Sequence, residues 1–441
     1  MGIIAGGVEE GSIFEECTAK GTIERGNSIT GIGGICGLSF DSESFSDCSV
    51  SDFYVKGESS FDITGIGGIV GTAGVTKVPD GNTGPTVFKH CRVEETPEGG
   101  RESHIVGAGY YSDEFEQYYS TSGDVAPAYI IEISSAEELI ALEREQEGYF
   151  ALTSDIDLGG AEWVPVGGDN IYVAADEAPE TADHGGGDEE ELTYTHFFSG
   201  TFDGCNHTIS NFAIHQPDNY DGAGLFGAIV SATIKDLTVK DVTVYGNNNL
   251  SAIAGIAWDS TIKNVTAENV VINAETEGIC FGAIAGSGTN CNLVDCRAHA
   301  NINLTDECYM AGIIAGDVQD DSSIINCTGG GIINADAYCM ELGGICGMGL
   351  DIKEISGCTV DNILFNLGTG SQVAGSIAGL IGLIEVRDSG IVPTEISNFT
   401  VNNPKMITEN GSYDSVDVVG DTYLSDEVRE QYSGPACNIT A

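Results

Sequence analysis

The sequence predicts an all-β chain wound as a right-handed parallel β-helix (β-solenoid), with about three short strands per coil of about 31 residues and a short capping helix near residues 135–147. Three observations predict it. A glycine-ended apolar block recurs at near-constant spacing, a second β-branched block recurs in step with it, and the 61 glycines, about twice the usual ~7% share, need a positional role that 10 prolines and few aromatics rule out as collagen or generic disorder.

The first block ends at Gly6, Gly37 and Gly71, and again at Gly227, Gly255, Gly286, Gly316, Gly347 and Gly379, in steps of 31 and 34, then 28, 31, 30, 31 and 32 residues. The second is centred on Cys17, Cys48, Cys91, Leu237, Val265, Cys296, Cys327, Cys358 and Phe399, and its steps track the first. Within it, alternation puts Ile234, Leu237, Val239, Val242 and Val244 on strand faces with charges opposite, and so many β-branched residues exclude a helix. Strands this short cannot form a domain alone, but stacked coils let each pair with its copy about 4.8 Å above and below. Glycines then supply corners at positive φ and close backbone approach.

Matching positions predict inward cysteine ladders at Cys17 and Cys48, at Cys296, Cys327 and Cys358, and at Cys308 and Cys339. Fourteen cysteines without a C-x-x-C pair read as small buried apolar residues rather than zinc ligands. A disulfide between two rungs of the three-rung run would leave its third cysteine unpaired.

The repeat breaks after Thr96, where GYYSDEFEQYYS leads into a Ser/Gly/Pro stretch. ISSAEELIALEREQEG then carries Ser134/Ser135 as N-cap candidates, Glu137/Glu138 in the first turn and Leu139, Ile140 and Leu142 as an apolar face, which suits a helix plugging a solenoid end. The predicted organisation is residues 1–95 as the last coils of a first solenoid, 96–125 as cap and linker, 126–410 as a second solenoid with a helical cap and an acidic insertion at 173–191, and 411–441 as a tail or the start of a further segment.

The order helix, YFALTSDIDL, WVPVG, FSGTFDGCNHTISNF, GLFG and TIKDLTV resembles the entry into the GLUG-repeat family of bacterial and archaeal surface proteins. The G-G-I-x-G and x-C-x-V blocks of residues 1–95 and 126–410 are similar to its later repeats. The resemblance implies a parallel β-helix exported to the cell surface, adhesin-like or structural, sometimes beside protease domains in larger proteins. It implies no chemistry of its own.

Sixty-eight acidic against sixteen Lys and Arg residues give a formal charge of −52, which excludes nucleic acid and anionic membrane surfaces as partners. High-salt adaptation, calcium on carboxylate loops and plain solubility each fit so acidic a surface. No run of about eighteen apolar residues occurs, so no membrane insertion is expected, and no signal peptide stands at the start. The chain opens on a repeat element, so the expectation is a piece of a longer extracellular or cell-surface protein whose export signal lies outside it.

The seven histidines are scattered without an H-E-x-x-H pair, and no G-x-S-x-G elbow or phosphate loop is present. Asp155/Asp157 and Asp203 with His207 are the only carboxylates with a case for polysaccharide lyase or glycosidase chemistry, and strand alternation and a D-G-x-N-H turn account for them without it. Tyr110, Tyr111, Phe115, Tyr118 and Tyr119 suit an end-cap before a sugar platform, and the acidic stretch Asp183–Glu191 matches no calcium-loop spacing. Asn264, Asn326 and Asn398 head N-x-[ST] triplets at one repeat position, as by-products of the repeat. No catalytic, cofactor-binding or metal residue is assigned, and calcium is the one cofactor left open. The reading is a non-catalytic structural or adhesin-like scaffold facing an unknown surface or host ligand such as a glycan; the alternatives are a carbohydrate- or calcium-binding module and a β-helix lyase or hydrolase.

Overall fold

The computed structural model describes residues 1–9, 11–24, 31–42, 44–56, 65–76, 85–93, 105–111, 127–142, 148–168, 170–172, 192–194, 197–216, 221–305, 307–336, 338–368, 376–387, 394–425, 428–429 and 436–440. It is a right-handed parallel β-solenoid, and its contacts divide it into two units, Met1–Ser154 with Gly200–Asp203, and Asp155–Ser199 with Gly204–Ala441.

In the first unit one parallel sheet stacks Ala5–Val8, Cys36–Phe40, Val70–Val75 and Val106–Tyr111. Its register pairs Ala5 with Cys36, Cys36 with Val70 and Val70 with Val106. The last of these strands lies where the sequence places cap and linker: Gly107 takes the place of Gly71, so the first block recurs beyond residue 95 behind a longer step. A second sheet runs Ile13–Glu15, Ser44–Ser46, Thr86–Lys89, Tyr129–Ile133, Tyr149–Leu152 and Thr201–Asp203. Its inward column is Phe14, Phe45, Phe88, Ile131, Phe150 and Phe202, with the first three rings stacked at 4.6 and 5.2 Å between centroids.

The helix is shorter than its sequence signal, Ala136–Ala141. Ser135 caps it by accepting from Glu138 N, and the Glu138 carboxylate reaches back to accept from Ser134 N and Oγ at 2.8 Å each. Leu139 and Leu142 are buried as expected, but Ile140 is 56% exposed, because one short turn presents too narrow a face to bury all three.

In the second unit a seven-stranded parallel sheet stacks Phe226–Val230, Ala254–Trp258, Ala285–Thr289, Ala315–Gln319, Cys346–Leu350, Ile381–Val386 and Val419–Leu424. Cys346 pairs with Ile381, so Gly382 and not Gly379 occupies the repeat glycine position of that coil. The apparent SIAG match sits three residues early because its coil is longer. A second column, Ile234, Ile262, Leu293, Ile324, Ile355 and Ile396, is wholly buried, each side chain contributing about 1.5–3 kcal/mol. Val419–Leu424 and Cys437–Thr440 extend these ladders past residue 410, where the sequence reading ends the second solenoid. The arms Asn170–Tyr172 and Leu192–Tyr194 pair antiparallel and bracket the acidic insertion 173–191, itself outside the described residues.

Corners are set by a small residue vocabulary. Asp236, Asn264, Asp295, Asn326 and Asn398 all lie at φ between 51° and 55°, with Gly357 at 67° in the same column, a region that glycine, Asn and Asp enter at least cost. Asn264 and Asn326 donate to the Asp one coil below, at 2.6 and 3.1 Å. The N-x-[ST] triplets follow, since a corner Asn stands two residues before an in-register strand threonine, Thr266, Thr328 or Thr400. Gly316 meets a different demand: a Cβ there would lie 2.3 Å from Phe281 N.

The cysteine ladders are present, and inward except at the first rung, where Cys17 is only half-buried beside buried Cys48. Cys296, Cys327 and Cys358 are fully buried, as are Cys308 and Cys339, and Cys91 joins Cys48 as a further rung.

Candidate functional site

The carboxylates singled out by sequence are each engaged by the scaffold. In the first unit Asp203, 9% exposed, accepts from the Tyr149 hydroxyl at 2.6 Å. In the second, exposed Asp155 accepts from Thr208 N at 2.9 Å and faces His207 Nδ1 at 3.3 Å. The Thr208 amide first, and the imidazole second, hold its carboxyl below the ordinary range. Asp157 accepts from Gly159 N and Asn211 Nδ2 and is lowered for the same kind of reason. A general acid needs a raised pKa, and these two are stabilised as surface anions. Cys205 and Asn206 turn at positive φ and His207 N donates to Gly204 O at 2.7 Å, which makes the D-G-C-N-H run a hydrogen-bonded turn.

Of the aromatic group, Tyr110 is 46% exposed and stands edge-on to Phe40 at 5.5 Å. Phe115, Tyr118, Tyr119, the Tyr111 side chain and the stretch Asp183–Glu191 lie outside the described residues. His90, His207 and His215 each meet a different carboxylate, Glu138, Asp155 and Glu162. Among the described residues no three His, Cys, Asp or Glu side chains are grouped to hold a metal ion.

A cavity of about 340 Å³ in the first unit is floored by Phe88, Ile131, Phe150 and Leu142, with Cys91 in its wall. It falls at the lower end of small-molecule site volumes. Its rim is engaged as well, with Arg92 gripping Glu137 through two bonds of 3.0 and 3.1 Å and His90 meeting Glu138.

Sequence reading missed a seam in the second unit. In-register corners there carry Asn249, Cys280, Met310, Glu341 and Ser376, all at positive φ. Beside them runs the strand column Ile256, Ser287, Asp317, Met348 and Leu383. Asp317 is 1% exposed; Gln319 donates to its Oδ2, while Oδ1 has no hydrogen-bond partner, and burial pushes its carboxyl up to about 7. Glu341 Oε2 is also buried and unpartnered. The available signal was a charge in a repeat position otherwise held by Ile, Ser, Met and Leu.

No family model matches the chain, and no solved structure matches it. A stretch of 119 residues is 32% identical to halomucin of Haloquadratum walsbyi, covering 26% of this chain and 1% of that protein. Another of 197 residues is 27% identical to the immunoglobulin A1 protease of Streptococcus sanguinis, covering 43% of this chain and 10% of that protein. The chain thus spans a tenth or less of the length of these curated relatives.

Proposed function

We propose that this chain is a non-catalytic scaffold segment of a longer secreted or cell-surface protein, adhesin-like and of the GLUG-repeat kind, which displays its acidic coil surface to a cell or host ligand. The observation that carries the reading is that coil after coil repeats in register while the carboxylates with a case for chemistry are held by turn amides, Asn211 and Tyr149. Both curated relatives are far longer than the matched segments, which supports a module within a large protein. The protease activity in one relative's name is not carried across with a tenth of its length.

Two measurements test this. Antibody against the purified chain should label intact source cells or their medium; label found only after lysis sinks the surface reading. A screen of polysaccharide substrates should show no turnover, and turnover abolished by Asp155→Asn or Asp203→Asn would establish the enzyme alternative. The acidic insertion between its antiparallel arms keeps a cation-binding reading in view. A calcium-dependent rise in unfolding midpoint, reversed by chelator, would move the function to a calcium-dependent module.

A further inference from the structure

The second-sheet column of the first unit contains one short coil. From Phe14 to Phe45 a full coil takes 31 residues, whereas the step from Ile131 to Phe150 takes 19. That step holds the six-residue helix Ala136–Ala141 where a full coil holds the strands of its two other sheets, and six helical residues span about 9 Å, too little to replace two walls. The cavity of about 340 Å³ lies at this step, lined by Phe88, Ile131 and Phe150 of three successive rungs, by Leu142 at the helix end, and by Val93 and Ile105. The ring stack stops at the same place: Phe88 lies on Phe45 at 5.2 Å, but on the next rung Ile131 stands in the column and Tyr129 meets Phe88 edge-on at 6.1 Å. The charged groups that line the cavity are all engaged. Arg92 holds Glu137 at 3.0 and 3.1 Å, His90 meets Glu138 at 3.0 Å and Lys89 meets Glu132 at 3.2 Å, while the Cys91 thiol donates to Phe45 O at 3.4 Å.

We propose that this cavity is a binding site for a neutral, apolar ring compound of one or two fused rings, which takes the place of the ring missing from the column at Ile131. Size sets the upper bound: an apolar cavity of about 150 Å³ holds a benzene, and this one has more than twice that volume. Spacing sets the orientation. Rungs two apart are separated by about 9.6 Å, so a ring at the middle level lies about 4.8 Å from Phe88 and from Phe150, inside the range of about 4.5–7 Å at which aromatic rings pack on one another. The engaged rim sets the charge, because an ionic or strongly polar ligand would lose its water and find no free partner in exchange. A neutral ring loses nothing of that kind and restores the contacts that the cavity walls forgo while empty. The site goes beyond the scaffold reading and stands whether or not the chain is displayed at a surface.

The test uses the full chain with 1-fluoronaphthalene as the probe, followed by fluorine NMR, and unlabelled naphthalene as the competitor. One saturable equivalent is expected. The methyl resonances of Ile131 and Leu142 should shift on binding, while that of Ile13, 52% exposed in the first strand of the same sheet, stays in place. Ile131→Phe puts a protein ring into the missing rung and Leu142→Phe fills the cavity from the helix end, so each should weaken binding by about tenfold or more with far-UV circular dichroism unchanged. Uptake that does not saturate, a shift at Ile13 with none at Ile131 or Leu142, or equal affinity in wild type and both variants would overturn the proposal. Should the variants fail to fold, the methyl shifts of the wild type decide it alone.

Discussion

The two units solve one packing problem with different columns. The first fills its second-sheet column with aromatic rings, Phe14, Phe45, Phe88, Phe150 and Phe202, broken once by Ile131, and its first-sheet steps grow from 31 to 34 to 36 residues. The second uses Ile and Leu at every buried rung of the matching column, with steps of 28, 31, 30 and 31 before the longer last ones. Even coils let a rung repeat the residue below it, because each side chain meets the same neighbours in every turn. Uneven coils change the width to be filled, and the larger ring spans what the aliphatic chain does not.

Truncating a ring should therefore cost more than trimming an aliphatic rung. Phe45→Ala, at a fully buried rung stacked on both sides, is expected to lose about 3–5 kcal/mol in denaturant unfolding, against about 0.5–1.5 kcal/mol for Ile324→Val. Equal losses would mean that the ring column is loosely packed and that the contrast between units is one of composition alone.

Period, coil number near the repeats and the inward thiols were legible because a solenoid writes each coil separately into the sequence. What escaped did so for physical reasons. The Val106–Tyr111 strand follows a longer step and lacks the block's double glycine, and its register is fixed by pairing with Val70–Val75 rather than by its own residues. The SIAG run at Ser376–Gly379 is a good match in the wrong place, since only the pairing of Cys346 with Ile381 reveals the three-residue slip. The seam that carries Cys280, Met310 and Glu341 at one corner position and Asp317 in the neighbouring strand column joins residues of successive coils, and it is invisible until the coils are stacked.

The first unit's helix also brings a charged element that the amide corners of the second do not need. Burial raises the Glu138 carboxyl, but the Ser134 amide and hydroxyl together with His90 outweigh it, and the net position is below the ordinary 4.5. A carboxyl lowered in the folded state stabilises above its unfolded pKa and stops doing so as pH falls through the folded one. Between pH 6 and 3 the wild type should lose about 1 kcal/mol more than Glu138→Gln, a figure that allows for partial solvent screening of hydrogen bonds to a charged acceptor. Parallel curves for the two proteins would reduce Glu138 to a neutral cap.

The smallest contrast sets amides against ions on the third parallel sheet of each unit, which stacks Thr18–Glu24 with Ser49–Lys56 in the first and Thr261–Phe281, Arg297–Leu304, Thr328–Ala335 and Thr359–Leu367 in the second. In the second unit Asn273, Asn303, Asn334 and Asn366 form a ladder, in which Asn334 Nδ2 donates to Asn303 Oδ1 at 2.8 Å and Asn301 Oδ1 at 3.0 Å while its own Oδ1 accepts from Asn366 at 3.0 Å. The first unit offers instead Lys20 and Asp52 at 3.7 Å, with side chains 73% and 58% exposed. Asn334→Ala removes three bonds that water only partly replaces and should cost about 1–2 kcal/mol, unchanged in molar salt. Lys20→Ala should stay within about 0.5 kcal/mol at low salt and vanish at high salt, because an exposed pair gains little in water and salt screens what it gains. A salt-insensitive loss at Lys20 would mean that its methylene stem packs on the coil, making the two third sheets more alike than their polar columns indicate.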